Sequence, residues 1–274
     1  MNLDRIYLVA NTSKPETLPV LERMVAWCEA HGLAAIPVSE SAPVHDATAM
    51  VVTLGGDGTV LRAAAMFEAS GIPILGINIG SLGFLTQAGI DGWEAALEHV
   101  VDGRTTIEER MRLAYACEGC EGSVLNDLVI TGTTDSRFCE LELAWGDGVV
   151  AAYPGDGLIL ATATGSTAYS LSAGGPVIVP PAACILASPH AAHKLGLRPV
   201  IFPADEVLRI RACTDVQLIA DGDFAVSLAA GAEVIVQRAE RPTCLVRLEG
   251  AASFFRVLDR KLNWADPDGR RRRA

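Results

Sequence analysis

The fold turns on one stretch, Met50-Val51-Val52-Thr53-Leu54-Gly55-Gly56-Asp57-Gly58-Thr59-Val60-Leu61-Arg62. Residues 50–54 are an apolar run rich in β-branched side chains, the pattern of a buried strand. From Val60 the chain continues Leu61-Arg62-Ala63-Ala64-Ala65-Met66-Phe67, which opens a helix. The three glycines therefore sit where a strand turns into a helix N-terminus. Free backbone N–H groups and the positive end of the helix dipole suit such a place to phosphate. Glycine lets backbone approach a ligand with no Cβ in the way. Asp57 does not fit a plain phosphate cradle, because a carboxylate repels the ligand. The residues alone leave three uses open: a proton acceptor, an indirect holder of a metal, or, with Thr59, a simple helix cap.

Outward from this stretch, Arg5-Ile6-Tyr7-Leu8-Val9-Ala10 reads as a strand. Pro15 opens a helix in which Leu18, Leu21, Val25 and Cys28 recur at helical spacing as far as Gly32. Further strands are expected at 34–38 and 73–77, and a helix at 93–101. Strands alternating with helices predict a doubly wound parallel sheet. Ligands of such sheets bind beyond the carboxyl ends of the strands. Residues 55–59 and the run Asn78-Ile79-Gly80-Ser81-Leu82-Gly83-Phe84 both follow strand ends, so they can face one crevice. Phe84 is there either a platform for a flat ring or a core residue.

After Thr106 the texture changes to short β-rich runs, including one strand expected over 124–131. The fold class is thus α/β followed by a mostly antiparallel β domain. The first domain is assigned to 1–106 and the β domain to 107–248. Residues 253–262 return to helical patterning. Phe254, Phe255, Val257, Leu258 and Leu262 are too apolar to stay in water, so residues 249–274 are expected to cross back and complete the first domain. The end, Asp266-Pro267-Asp268-Gly269-Arg270-Arg271-Arg272-Arg273, reads as a solvated tail.

Half of the 274 residues are hydrophobic, enough for a sizeable core. The formal net charge of −11 argues against a broad nucleic-acid surface, which needs clustered Lys and Arg. Seven cysteines, odd in number and widely spread, with no signal peptide before them, read as reduced thiols in a cytoplasmic protein. Cys117 and Cys120 lack the second pair that a zinc set requires, so no protein-held metal is expected. No apolar run is long enough, free of Gly, Pro and charge, for a membrane span.

Two more stretches are dense in chemistry. Asn126-Asp127 is a polar pair inside an apolar run, Val124-Leu125-Asn126-Asp127-Leu128-Val129-Ile130. Burying an amide and a carboxylate is costly unless they are paired, so this is a site or a structural network. Residues 156–176 run DGLILATATGSTAYSLSAGGP. Their Thr, Ser and Gly, with one Tyr, can offer hydrogen bonds and a ring face to a nucleotide.

In order, and across nearly the whole chain, these motifs resemble the NAD kinases, which phosphorylate the 2′-hydroxyl of the adenosine ribose of NAD to give NADP. Residues 55–59 resemble the family's GGDGT, a motif shared with some lipid and sugar-phosphate kinases. The run Gly76-Ile77-Asn78 through Gly83-Phe84-Leu85 is similar to its G-x-N-x-G-x-L-G-F-L run. Residues 156–176 resemble its most specific signature. Asn126-Asp127, Ser188-Pro189-His190, Arg198-Pro199 and Phe254-Phe255 with Leu262-Asn263-Trp264 also match.

The resemblance implies NAD in a cleft between the two domains, with ATP or polyphosphate as phosphoryl donor. It implies Asp57 as the base that takes the hydroxyl proton. Gly55, Gly56, Gly58 and Thr59 would face phosphates, with Asn78 among the nucleotide-binding residues. Asn126 and Asp127 would bind adenine and ribose groups. Thr164, Thr167, Ala168 and Tyr169 would line the adenine and phosphate region. Phe84 would lie near adenine, and Asp156 near the nicotinamide half. A homodimer or homotetramer through the β domains is implied too. Ala163 departs from the family's proline, Ala161 from a frequent serine, and Ser81 from an arginine of some members.

Phosphoryl transfer needs positioning, a metal to neutralise the phosphates and a base for the hydroxyl. The expected cofactor is Mg²⁺, bound mainly through donor phosphates and water. No Walker A lysine pattern is present. The rival readings are a lipid kinase of the same superfamily and a non-catalytic NAD-binding regulator.

Overall fold

The structure is a computed structural model that describes residues 3–38 and 49–264; the four-arginine tail lies outside them. The chain divides into two compact units, residues 1–108 with 244–274, and residues 109–243.

The first unit alternates strand and helix: β1 (Arg5–Ala10), α1 (Thr17–Ala30), β2 (Ala34–Val38), β3 (Ala49–Gly55), α2 (Asp57–Met66), β4 (Ile74–Asn78), the two-residue β5 (Ala88–Gly89), α3 (Trp93–Val101) and β6 (Thr105–Arg110). Neighbouring strands β2, β1, β3 and β4 are parallel. All seven residues of β3 are buried, as a strand covered on both faces must be. Met50, Val52 and Leu54 point one way, into a cluster with Val20, Met24 and Cys28 of α1 and Trp93, Ala96 and Leu97 of α3. Tyr7, on the opposite face, meets Phe67 at the end of α2 with ring centroids 5.4 Å apart. The sheet is therefore wound on both sides, as the alternation of elements predicts.

The second unit holds β7 (Leu113–Cys117), β8 (Cys120–Val124), β9 (Asp127–Gly132), β10 (Cys139–Trp145), β11 (Gly148–Gly155), β12 (Gly157–Ala161), the short α4 (Tyr169–Ser172), β13 (Cys184–His190), β14 (Val200–Pro203), β15 (Leu208–Ala212), β16 (Val216–Ala220), β17 (Asp223–Leu228) and β18 (Glu233–Arg238). They form two six-stranded sheets, β11-β10-β15-β18-β7-β8 and β14-β13-β12-β9-β16-β17. Neighbouring strands in both sheets pair antiparallel. Period-two alternation divides β12: Leu158 and Leu160 fill the core between the sheets. Ile159 and Ala161 face away and are covered by Ala163 and Ile178. The Thr/Ser/Gly-rich stretch thus folds back over the outer face of the second sheet.

Two expectations change. No single strand runs over 124–131: the chain breaks at Leu125 and Asn126, and Asp127 starts β9. A free carboxylate in the middle of a strand would be buried without partners; at the break it gains them. The second change concerns β19 (Thr243–Leu248), which the sequence reading placed in the β domain. It lies between β4 and β6 in the parallel sheet, so the first unit regains the chain at 244.

The last helix, α5 (Phe254–Leu262), belongs to the first unit. Ser253 caps it, its hydroxyl accepting the Arg256 N–H. Val257 and Leu258 are buried, and Phe254 lies 5.9 Å from the Phe84 ring. Phe255 is 59% exposed and Leu262 40% exposed, contrary to the expectation that both would leave water. A helix buries one stripe, and these two residues lie off it. All seven cysteines are free; Cys28, Cys139 and Cys184 are buried, whereas Cys213 is exposed. No described helix is long and apolar enough to cross a membrane.

Candidate functional site

In the first unit the glycine-rich turn is built as its residues dictate. Gly56 is the N-cap of α2 in extended backbone, with no side chain capping the helix. Asp57 is the first helical residue, and its carboxylate turns away to the loop after β4. Its Oδ2 accepts the Phe84 N–H at 2.8 Å and its Oδ1 the Leu85 N–H at 3.0 Å. A carboxylate offers about four lone pairs, so each oxygen keeps one for another partner. Gly83 makes the approach possible: a Cβ there would fall 1.9 Å from Asp57 Oδ1. The loop is held in turn by the Gly83 N–H to Thr86 Oγ1 and by the Asn78 side-chain amide to the Ser81 carbonyl. The Gly55 carbonyl accepts the Ile79 N–H at 2.9 Å, joining the two strand ends.

Gly56, Gly58 and Thr59 line a cavity of about 320 Å³ together with Asn11, Lys14 and Arg62. Lys14 donates to the Ile79 carbonyl and Arg62 to the Ala10 carbonyl, so both cations are anchored at its rim. An α2 N-terminus flanked by two cations is an anion site on electrostatic grounds. The Phe84 ring is half-buried between Phe254 and Lys261, whose ammonium stands 5.7 Å from the ring centroid.

The remaining candidates belong to the second unit. Asp127 is buried and accepts the Tyr169 backbone N–H. Burial, and next the nearby Asp221, push its carboxyl up to about 7, while the Tyr169 N–H opposes the shift. Thr164 is buried and its hydroxyl accepts from Arg110 at 3.2 Å. Thr167 Oγ1 donates to the Thr164 carbonyl. Gly165 packs on the backbone of Asn126, whose carbonyl a Cβ would meet at 2.0 Å. Ser166, fully buried, bonds Ala163 and Ile178 and secures the loop without the family's proline. Tyr169, Ala168 and Asn126 remain partly open to solvent. The Tyr169 hydroxyl lies 2.9 Å from His190 Nε2. Burial, then Asp156 and Asp127, raise the Tyr169 phenol. The Asp156 carbonyl accepts from Thr131 Oγ1, which fixes the start of β12.

Sequence reasoning missed Lys14, Arg62 and Asp221, and it held Thr162 and His190 only as members of matched motifs, with no role of their own. Arg62 carries a usable signal, being a cation one helical turn after Gly58, whereas Lys14 lies in the segment between β1 and α1 and carries none. Asp221 carries none: it is an acid in a turn, 95 residues from the amide it holds.

A backbone phosphate cradle with anchored cations and an adjacent oriented carboxylate is the equipment of a phosphotransferase. The family profile of the ATP-NAD kinase N-terminal domain matches residues 38–105, and that of the ATP-NAD kinase C-terminal domain matches 125–248. The NAD kinase of Heliobacterium modesticaldum is 37% identical over 275 residues, 93% of this chain and 97% of its own. That of Symbiobacterium thermophilum is 39% identical over 277 residues, covering 93% and 98%. This chain belongs to the NAD kinase family, whose activity is the phosphorylation of NAD to NADP. The fold is also that of yeast NADH kinase complexed with NADH, at TM-score 0.84 and 23% identity over 97% of this chain and 89% of that one. An NAD kinase from Archaeoglobus fulgidus in complex with ATP matches at TM-score 0.81 and 25% identity, over 94% and 98%.

Proposed function

We propose that this chain transfers the terminal phosphoryl group of ATP to the 2′-hydroxyl of the adenosine ribose of NAD, with Asp57 accepting the hydroxyl proton. One observation carries the role of Asp57: its carboxylate is not spent as a helix cap. Two backbone N–H groups fix its direction and leave a lone pair on each oxygen. A base held in place before substrate arrives needs no reorganisation during transfer. The donor phosphates lie over Gly56, Gly58 and Thr59, with Lys14 and Arg62 offsetting their charge. Gly55 and Asn78 shape the turns behind them. That cavity recognises phosphate rather than a base, so polyphosphate is a reasonable second donor.

Mg²⁺ fits this arrangement as an ion held by donor phosphates and water. Among the described residues no group of three His, Cys, Asp or Glu side chains could hold a metal. Bound so, it would neutralise phosphate charge. Asn126 and Asp127 take the adenine and ribose groups. Thr164, Thr167, Ala168 and Tyr169 line the adenine and phosphate region, Phe84 lies near adenine, and Asp156 meets the nicotinamide half. The chain works as a cytoplasmic homodimer or homotetramer, a reading supported by free thiols and by Trp145, Val149 and Ile201 left exposed on the β unit. The test is direct: NAD, ATP and Mg²⁺ with purified protein should yield NADP and ADP in equal amounts. Folded protein that binds NAD but forms no NADP with ATP or with polyphosphate would overturn the proposal.

A further inference from the structure

We propose that Asp221 and Thr162 are positioning residues for NAD, which together fix the backbone of the 125–127 turn so that Asn126 and Asp127 are presented to the ligand. The inference rests on the reading that those two side chains bind NAD.

Every backbone polar group of the turn ends on one of these two residues. Asp221 Oδ2 accepts the Leu125 N–H at 2.7 Å, and Oδ1 accepts those of Asn126 and Asp127 at 2.8 and 3.1 Å. The Asp221 N–H returns a bond to the Asp127 carbonyl at 3.0 Å. Thr162 Oγ1 donates to the Leu125 carbonyl at 2.6 Å, and the Thr162 N–H to the Asn126 carbonyl at 2.9 Å. Three N–H groups and three carbonyls are thus satisfied by two residues that follow the ends of β12 and β16, the strands on either side of β9. Two of the six bonds extend the ladders of those strands, and the other four come from the Asp221 carboxylate and the Thr162 hydroxyl.

Asp221 and Gly222 are the two loop residues of the β16–β17 hairpin, with φ of +49° and +93°, the positive pair that an Asp-Gly hairpin turn favours. The turn places the Asp221 carboxylate at the end of β16, beside the 125–127 turn. The charge balance is also specific. Burial raises the Asp221 carboxyl; its three backbone N–H bonds and then the buried Arg112, itself held by Ser123 and Thr243, oppose the shift. Tyr115 of β7 faces Asp221 as well. Asp127 faces Asp221, the Tyr169 N–H and the Tyr169 ring. Asp221 is thus favoured as a carboxylate by Arg112 and three N–H bonds, whereas Asp127 has the single Tyr169 N–H and the repulsion of Asp221. Asp127 is left protonated more readily, which weakens it as an acceptor for a ribose or adenine donor below neutrality.

The test is steady-state kinetics of the full chain from pH 5.5 to 8.5, varying NAD and ATP separately. Variants are Asp221→Asn, Thr162→Val, Thr162→Ser, Asn126→Ala and Asp127→Asn. In the wild type kcat/KM for NAD should rise through about pH 7. Asp127→Asn should abolish that inflection. Asp221→Asn should move it to lower pH and raise KM for NAD about tenfold, with KM for ATP within about twofold. Thr162→Val should raise KM for NAD alike, and Thr162→Ser, which keeps the hydroxyl, should restore it. The threonine pair keeps the inference testable if Asp221→Asn does not fold. Unchanged KM for NAD in Asn126→Ala and Asp127→Asn would overturn the site reading and the inference with it. A rise in those two, with wild-type values and an unmoved inflection in Asp221→Asn and with wild-type values in Thr162→Val, would overturn the positioning inference alone.

Discussion

Gly83 and Asp57 are the pair of residues on which the proposed catalytic geometry rests. The loop N–H groups reach the carboxylate only because residue 83 has no side chain. Gly83→Ala should therefore push Asp57 off its bonds and lower kcat by about 10–100-fold, since small misplacements of a reacting group cost that much. Circular dichroism should show an intact fold beside the lost turnover. Asp127 makes a separate prediction about stability. Its folded carboxyl titrates near 7, above its ordinary value of 3.8, so between those values the native state binds more protons than the unfolded chain. Its contribution is most favourable below pH 4 and is lost as pH rises through 7. Asp127→Asn should then raise the melting temperature at pH 8 relative to wild type, with a smaller gain or a loss at pH 5. A difference independent of pH would contradict the burial and repulsion assigned to this site.

At the scale of elements, the strand–glycine–helix unit was legible because three local signals agree: a β-branched run, glycines at the turn, and helix formers after it. The parallel sheet followed from alternation. What local pattern leaves out is the destination of a strand. Nothing in Thr243-Cys244-Leu245-Val246-Arg247-Leu248 says which of the three sheets it joins, and it joins the parallel one. Burial within α5 is also set by the partner surface. Val257 and Leu258 face it; Phe255 and Leu262 do not. Leu258→Ala should cost about 2–5 kcal/mol of stability. Phe255→Ser should change stability by about 0.5 kcal/mol or less. Urea titration of both variants measures this, and equal losses would show that the stripe is assigned to the wrong residues.

At the scale of the whole molecule, the candidate site residues and their supports were legible to different degrees. Motif residues such as Asp57, Asn126 and Thr164 stand out by type and spacing. Their supports do not, because they act through backbone groups far along the chain, as Asp221 does on Asn126. The proposed association rests on apolar side chains left in water on the β unit, Val149 at 61% exposure and Ile201 at 52% among them. Light scattering at micromolar concentration should give a dimer or tetramer, and Val149→Lys with Ile201→Lys should reduce it. A wild-type monomer would refute the association.

Asp57→Asn tests the central claim most directly. The amide keeps the size of the carboxylate but presents an N–H toward one of the two loop N–H groups, so a stability loss of about 1–3 kcal/mol is expected. Turnover should be measured well below the melting temperature of the variant, at saturating NAD and ATP. With Asp57 as the base, kcat for NADP formation should fall by about 10²–10⁴ while NAD binding, read by calorimetry, stays within a few-fold. A folded variant that turns over near the wild-type rate would show that the 2′-hydroxyl gives up its proton without Asp57.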